Sequence, residues 1–359
     1  MIREHLAMSM KKNFFGALPD GKPVDCYTIE NQNGMRAEIL TYGGTLNKLY
    51  VPDQNGVFAD VLIGFDTLEG HLNHSDYQGM LVGRYANRIA DGAFVLNGEE
   101  YHVTKNENQI TCLHGGGEFS HAVWDAQPVG EDALRLSYES PESAQGFPGR
   151  VAARAVYTLT QDNVLRIDYY AVSDRDTILN LTNHAYFNLG GYDAGQITGH
   201  ILRLNASQFI PTDARDIPTG ELRDVEGTPF DFREPKAIGD GIDSDYAPIA
   251  SCKGYDHNFC IDHWDGSLRE AAEVYEPQSG RVMRVTTDLP GVQLYTGNFL
   301  AGHPGKGGKP VACRTGFCLE TQYYPDTPNQ PDFPSCVFRA GEAFESTTEF
   351  QFSVRGPRD

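Results

Sequence analysis

The chain has 359 residues, with 29 Lys and Arg against 49 Asp and Glu, a formal net charge of −20. Nucleic acid and anionic membrane surfaces repel such a chain, so neither is expected as a partner. Hydrophobic content of 40% with 22% charged residues is that of an ordinary folded protein. A chain of this size buries about three-quarters of its unfolded surface, and no apolar stretch approaches the ~20 residues needed to span a bilayer.

Along the chain, the apolar run Phe14 to Leu18 follows Lys11-Lys12 and falls short of the ~7 residues of a secretory core. Residues 1–13 are expected to form a loose extension. Val51-Pro52-Asp53-Gln54-Asn55-Gly56-Val57 predicts a turn of the Asn-Gly kind, and Phe94 to Val103 sets Asn97-Gly98 between two short alternating runs. The second is a strong hairpin signal, because both turn residues must adopt positive φ. Leu134, Leu136 and Tyr138 alternate with polar neighbours, as do Leu165, Ile167 and Tyr169, then Phe350, Phe352 and Val354. A period of two describes strands with one buried face. Ser267 to Tyr275 has helix-forming composition without a sustained helical stripe, and reads equally as a strand. With 38 Gly and 20 Pro spaced along the sequence, the prediction is many short strands joined by turns. The expected fold is all-β, one large antiparallel sandwich over residues 1–359. Seven cysteines, an odd number with no Cys-x-x-Cys, point to reduced, mostly buried thiols and a cytoplasmic protein.

Five polar clusters depart from ordinary sheet surface. Gly83 to Ile89 sets Arg84, Asn87 and Arg88 beside glycine, and Leu113 to Gly117 exposes His114 next to three glycines. Asn180 to Leu189 is dense in hydrogen-bonding and aromatic groups, including His184 and Tyr186. Asp256 and His257 form a carboxylate–imidazole pair, and Glu320 and Gln322 lie two apart, on one face of a strand. Taken singly each has a plain alternative: a surface ion pair for the arginines, a local loop contact for His114, a satisfied core histidine for His184. Together they are the palette of a sugar site, where paired donors and acceptors read hydroxyls and a ring face meets the C–H side. Carboxylates with histidine also permit acid–base chemistry. The sequence has no zinc-type histidine spacing, no Gly-x-Ser-x-Gly and no Gly-x-Gly-x-x-Gly before a helix. Metal, serine nucleophile and dinucleotide are therefore given low weight.

The run from Asn180 to Leu189 resembles the signature of the aldose 1-epimerase (galactose mutarotase) family at all ten positions. Gly83 to Ile89, Leu113 to Gly116, Tyr255 to Phe259, Pro290 to Asn298 and Gly316 to Gln322 also resemble that family, in its order, so the resemblance runs from about Phe15 to the C-terminus. It implies a large antiparallel β-supersandwich with the sugar in an open cleft. Glu320 matches the family's general base and His184 its general acid. Asn87, Arg88, His114, Tyr186, Asp256 and Gln293 match positions that bind the sugar, and no cofactor or metal is needed. The implied reaction removes the C1 hydroxyl proton, protonates the ring oxygen, rotates the opened chain about C1–C2 and recloses it as the other anomer.

For this pair to work, Glu320 must be ionised and His184 protonated. Nearby carboxylates are expected to raise the histidine for that purpose, with Asp256 serving either there or in orienting His114. Two departures from the family pattern stand beside matched motifs, Tyr85 for a smaller aliphatic residue and Tyr323-Tyr324 for His-Phe. Both are expected to alter the cleft wall and with it the sugar preference. Apart from Arg84 and Arg88 no basic cluster lies near the motifs, so a neutral free monosaccharide is expected rather than a hexose 6-phosphate. A sugar-binding module without catalysis is disfavoured because both acid and base are present. A monomer or weak homodimer is expected.

Overall fold

The computed structural model describes residues 10–74 and 76–356. Three antiparallel sheets make up most of it. The largest has nine strands, running in space from Asp125–Val129 through Ala133–Ser140, Val151–Leu159 and Val164–Ser173 to the C-terminal strand Ala343–Val354. It continues through Arg281–Thr287, Arg269–Tyr275 and Ile201–Leu204 to Lys236–Ala237. A five-stranded sheet is built from the first strands of the chain, Lys11–Ala17 to Phe58–Asp60, in sequence order. Lys11, Lys12 and Asn13 therefore belong to a strand, paired with Thr28, Tyr27 and Cys26, rather than to a loose extension. Residues 1–9 lie outside the described residues.

The third sheet carries the chemistry. Its three long strands are β1 (Asp256–Cys260), β2 (Gly291–Tyr295) and β3 (Cys318–Gln322). Pairing is antiparallel, with Asn258 opposite Gln293 and Gln293 opposite Glu320. Because side chains alternate, Asp256, Asn258, Gln293, Tyr295, Cys318, Glu320 and Gln322 share one face. The other face presents Phe259, Val292, Leu294 and Leu319 to the main apolar cluster, which also takes Ile29, Leu49, Leu136 and Ile167 from the other two sheets. Each aliphatic side chain buried there contributes roughly 1.5–3 kcal/mol, which fixes the sheet's register. A one-residue slip would bury the polar face.

Local signals were translated unevenly. Asn97 and Gly98 turn at φ 53° and 80° between Ala93–Leu96 and Glu99–His102, a two-residue hairpin. At Asn55-Gly56 only glycine has positive φ (78°), and the turn is closed by the Asp53 carboxylate accepting from the backbone of Asn55 and Val57. Ser267 to Tyr275 resolves as the strand Arg269–Tyr275, paired with Arg281–Thr287, since Ala271, Ala272 and Val274 are buried in the core. Val354 overshoots the buried pattern of Phe350 and Phe352 and is exposed. The α-helices among the described residues are short, at Leu68–Asn73, Glu118–His121 and Ala247–Cys252. None is long and apolar enough to cross a membrane. All seven cysteines are free, and only Cys313 is exposed.

Candidate active site

Three loop-borne segments close over the polar face of β1, β2 and β3. His184 follows the short strand Thr182–Asn183, and its backbone is pinned by His184 N–H donating to Met80 (2.9 Å) and its carbonyl accepting from Gly79 (2.8 Å). Asn87 and His114 sit in left-handed conformations, at φ 65° and 52°. They clasp each other: the Asn87 amide donates to His114 Nδ1 (3.1 Å) and the His114 amide to the Asn87 carbonyl (3.0 Å). Arg88 is held in a two-pronged bond to Glu107, both contacts 2.8 Å, with Asp216 at 3.8 Å.

A cavity of about 150 Å³ results, lined by Glu320, His184, Asn87, Arg88, His114, Tyr186 and Asp256. Seven of the eight residues nominated from the sequence are thus brought together. The eighth, Gln293, lies one layer back and donates from Nε2 to Asp256 Oδ1 at 2.8 Å. The lining also includes Asp76, Tyr77, Leu113, Tyr295 and Phe299, which were not nominated. Tyr295 was within reach of the sequence, because it lies two residues after Gln293 and shares its face. Tyr77 and Phe299 come from loops with no period to reveal them.

The departures Tyr85 and Tyr323-Tyr324 do not reach the cleft. Tyr85 is fully buried, donating from its hydroxyl to the Tyr324 carbonyl (2.8 Å) and accepting from the Thr327 amide (3.0 Å). Tyr323 packs on Phe338 and Phe344, and Tyr324 on Phe333. Tyr323 and Tyr324 follow the last residue of β3, and neither lines the cavity. Arg84 is likewise spent inside, donating to Ser140 and to the carbonyls of Pro141, Pro148 and Gly149.

His184 Nε2 and Glu320 Oε1 stand 3.6 Å apart, both nearly inaccessible. Burial pushes Glu320 well above the usual carboxylate range; Asp256 adds to the effect and Arg88 opposes it. Burial also lowers His184 to about 4. The expectation that surrounding carboxylates raise this histidine is therefore overturned, because removal of the ring from water is the dominant influence on it, opposed by a backbone hydrogen bond. Asp256 is raised as well, by burial, against Arg88 and the Gln293 hydrogen bond. His184 is flanked by Tyr186 (4.9 Å between centroids, nearly parallel) and Tyr77 (6.0 Å), and its Nδ1 meets Cys318 Sγ at 3.5 Å.

His114, His184 and Glu320 place one donor atom each within 4.8 Å of one another, a grouping that local metal-ligand spacing does not reveal because its members are far apart in the chain. The site already contains a fixed cation, the Arg88 guanidinium, which acts on both Glu320 and His114. Nδ1 of His114 is also occupied by the Asn87 amide. The arrangement suits acid–base chemistry: two adjacent ionisable groups in a polar cleft with aromatic walls.

The chain matches the family model described as aldose 1-epimerase over residues 25–351. It is 40% identical over 350 residues to galactose mutarotase from Bos taurus, covering 97% of this chain and 99% of that protein. Aldose 1-epimerase from Haemophilus influenzae is also 40% identical, covering 93% and 97%. Among solved structures, a GalM/aldose epimerase homologue from C. elegans superposes with a TM-score of 0.85 at 29% identity, covering 92% of this chain and 99% of that one. Galactose 1-epimerase from Lactobacillus acidophilus gives 0.84 at 28% identity, covering 97% and 100%.

Proposed function

The chain belongs to the aldose 1-epimerase family, and from that premise we propose that Glu320 is the general base and His184 the general acid of its anomer interconversion. The observation that carries this assignment is the 3.6 Å separation of Glu320 Oε1 and His184 Nε2 inside one cavity. The C1 hydroxyl and the ring oxygen are bonded to the same carbon, so acid and base must reach two neighbouring atoms. Side-by-side groups do this; groups on opposite walls would not.

The pair carries one proton between its two members. Free of ligand, burial favours the neutral form, carboxylic acid with imidazole. A bound aldose shifts the balance, because its C1 hydroxyl donates to a carboxylate and its ring oxygen accepts from an imidazolium. Arg88 favours the same charge separation at Glu320. Glu320 then takes the C1 hydroxyl proton while Nε2 of His184 protonates the ring oxygen. The C1–O5 bond breaks and the aldehyde forms. This step returns the pair to the neutral form that burial prefers. Rotation about C1–C2 and the reverse transfers close the other anomer. Asn87, Arg88, His114, Tyr186 and Asp256 hold the hydroxyls, with Gln293 supporting Asp256.

The substrate is a free aldose, with D-galactose the first to test because the mammalian relatives are named for it. Asp76, Asp256 and Glu320 line the cavity against one arginine that is already paired, which opposes a phosphate dianion. Seven free thiols support a cytoplasmic location, and a net charge of −20 favours a monomer or weak homodimer. Polarimetry on freshly dissolved α-D-galactose tests the reaction. Glu320→Gln and His184→Asn are each expected to lower kcat by roughly 10²–10⁴. A rate within a few-fold of the parent in either variant refutes its role.

A further inference from the structure

Behind the cavity, four amide and carboxylate side chains form a directed chain of hydrogen bonds. It starts at a backbone carbonyl. Asn258 Nδ2 donates to the Phe259 carbonyl at 3.3 Å, which leaves Asn258 Oδ1 as the acceptor of Gln322 Nε2 at 3.1 Å. The same Gln322 nitrogen donates to Gln293 Oε1 at 3.3 Å, and Gln293 Nε2 donates to Asp256 Oδ1 at 2.8 Å. A side-chain amide can in principle be placed either way round. Here the peptide carbonyl of Phe259 cannot be reversed, so its polarity fixes each amide in turn, and the last one presents N–H to the carboxylate.

Two further features show that the chain is built for this order. Gln322 Oε1 is buried with no partner among the described residues. Turning the amide over would offer that oxygen to two other oxygens, so the fold keeps both donors in place and leaves one acceptor unmet. Gly291 lies directly opposite Gln322 on β2, and a Cβ there would come within 2.5 Å of Asn258 Oδ1 and 2.8 Å of Nδ2. The missing side chain is the space in which the Asn258 amide lies. Asn258, Gln293 and Gln322 are no more than 3% exposed, and of the chain only Asp256 lines the cavity.

We infer that Gln322 and Asn258 are positioning residues for sugar binding, acting through Gln293 to fix the orientation of the Asp256 carboxylate. The inference rests on the reading of Asp256 as a sugar contact. Asp256 must present one oxygen to a hydroxyl while the other is held, and only the donor end of Gln293 can hold it. With Gln293 reversed, its amide oxygen would face the carboxylate and drive it out of position. Because this hydroxyl contact is the same before and after ring opening, its loss weakens binding and leaves the chemical step nearly intact.

The test is polarimetry of Gln322→Met, which keeps the length and removes the donors, and Gln322→Glu, which replaces donor by acceptor. Gln322→Met is expected to raise KM for D-galactose roughly 5- to 10-fold with kcat within about 3-fold of the parent. Gln322→Glu is expected to raise it further, as it forces Gln293 to reverse. Gln293→Met should raise KM by a similar factor, and adding Gln322→Met to it should change KM no further. Asp256→Asn separates the two levels of the argument. If it raises KM while Gln322→Met leaves KM and kcat at parent values, the positioning role is overturned and the sugar contact stands. If Asp256→Asn leaves KM unchanged, the contact falls and the inference falls with it. A thermal melt of each variant guards against misfolding: should Gln322→Met not fold, additivity of Asn258→Leu with Gln293→Met overturns the proposal and non-additivity upholds it.

Discussion

Arg88 and Glu107 meet fork to fork, Nε on Oε2 and Nη2 on Oε1, both at 2.8 Å. Burial opposes the charge on Arg88, but the Glu107 bond, with Asp256 and Asp216, holds the guanidinium above its usual range. A planar fork pinned on one edge has little freedom on the other, and on the proposed reading it is that other edge which meets a sugar hydroxyl. Glu107 thus orients a cavity residue without entering the cavity lining.

Replacing Glu107 by Gln removes the counter-charge and one of the two acceptors. The expected result is a rise in KM for D-galactose of about 5- to 10-fold with a smaller change in kcat. Arg88→Lys should do at least as much damage, because an ammonium cannot make both contacts. Initial rates over a range of sugar concentrations read this directly. An unchanged KM in Glu107→Gln shows that Arg88 is held well enough by its other contacts.

Cys318 lies two residues before Glu320 on β3 and reaches the other side of His184, 3.5 Å from Nδ1. Which nitrogen of an imidazole acts is set by what the other one touches. With Nδ1 against the sulfur, Nε2 is directed to Glu320. Burial keeps Cys318 as a thiol, so the contact is a neutral one. Cys318→Ala is expected to lower kcat by about 3- to 10-fold, and Cys318→Ser to recover most of it, as a hydroxyl also bonds Nδ1. Equal losses in both variants point to packing volume rather than to the hydrogen bond.

Tyr85 was expected at the cleft wall and is found as a strut beneath it. Its hydroxyl joins the Tyr324 carbonyl and the Thr327 amide, just after the strand that bears Glu320. Tyr85→Phe leaves the Thr327 amide without its acceptor, while the Tyr324 carbonyl still accepts from the Thr327 hydroxyl (2.7 Å), and should cost roughly 1–2 kcal/mol of stability. Relative rates on galactose, glucose, xylose and arabinose should not change. A change in that order would restore Tyr85 as a specificity residue.

These outcomes show where the sequence was readable. The Asn97-Gly98 hairpin and the strands around Leu136 and Ile167 were legible because turn chemistry and a period of two are local properties. The 269–275 strand was ambiguous because its residues favour a helix, and only packing against Arg281–Thr287 decides the matter. Glu320, His184 and five further residues of the cavity lining were nominated through motif resemblance. Tyr77, Phe299 and the Gln322–Asn258 chain were not, since loop placement and cross-strand register belong to the tertiary fold. The direction of the His184 shift was also illegible: the sequence reveals neighbouring charge but not burial.

Glu320 is a buried carboxylate whose proton the fold holds tightly, and this has a consequence for stability. Its folded pKa lies well above the usual carboxylate value, through burial first and then Asp256. A group raised in this way contributes stability at pH values below its unfolded pKa, and that contribution is lost as pH rises toward the folded value. At neutral pH the parent is therefore destabilised, because its folded state holds a proton that the unfolded chain gives up to water. Glu320→Gln is neutral at every pH in both the folded and the unfolded state, so it carries no such cost. The variant is expected to be inactive yet to melt on the order of 1–4 °C above the parent at pH 7.5. The gap should close as pH falls to the ordinary carboxylate range, where the parent's Glu320 is neutral in both states. Buried histidines act in the opposite sense. His71 and His257, each lowered to about 3, and His184 and His200, each lowered to about 4, all by burial, remove stability as pH drops below about 6.5. Both proteins share the loss from His71, His200 and His257, so that part cancels in the difference between their melting curves; His184, beside the substituted position, does not belong to the part that cancels. A Glu320→Gln protein that melts at or below the parent across this range would show that the carboxylate is better satisfied than its surroundings indicate.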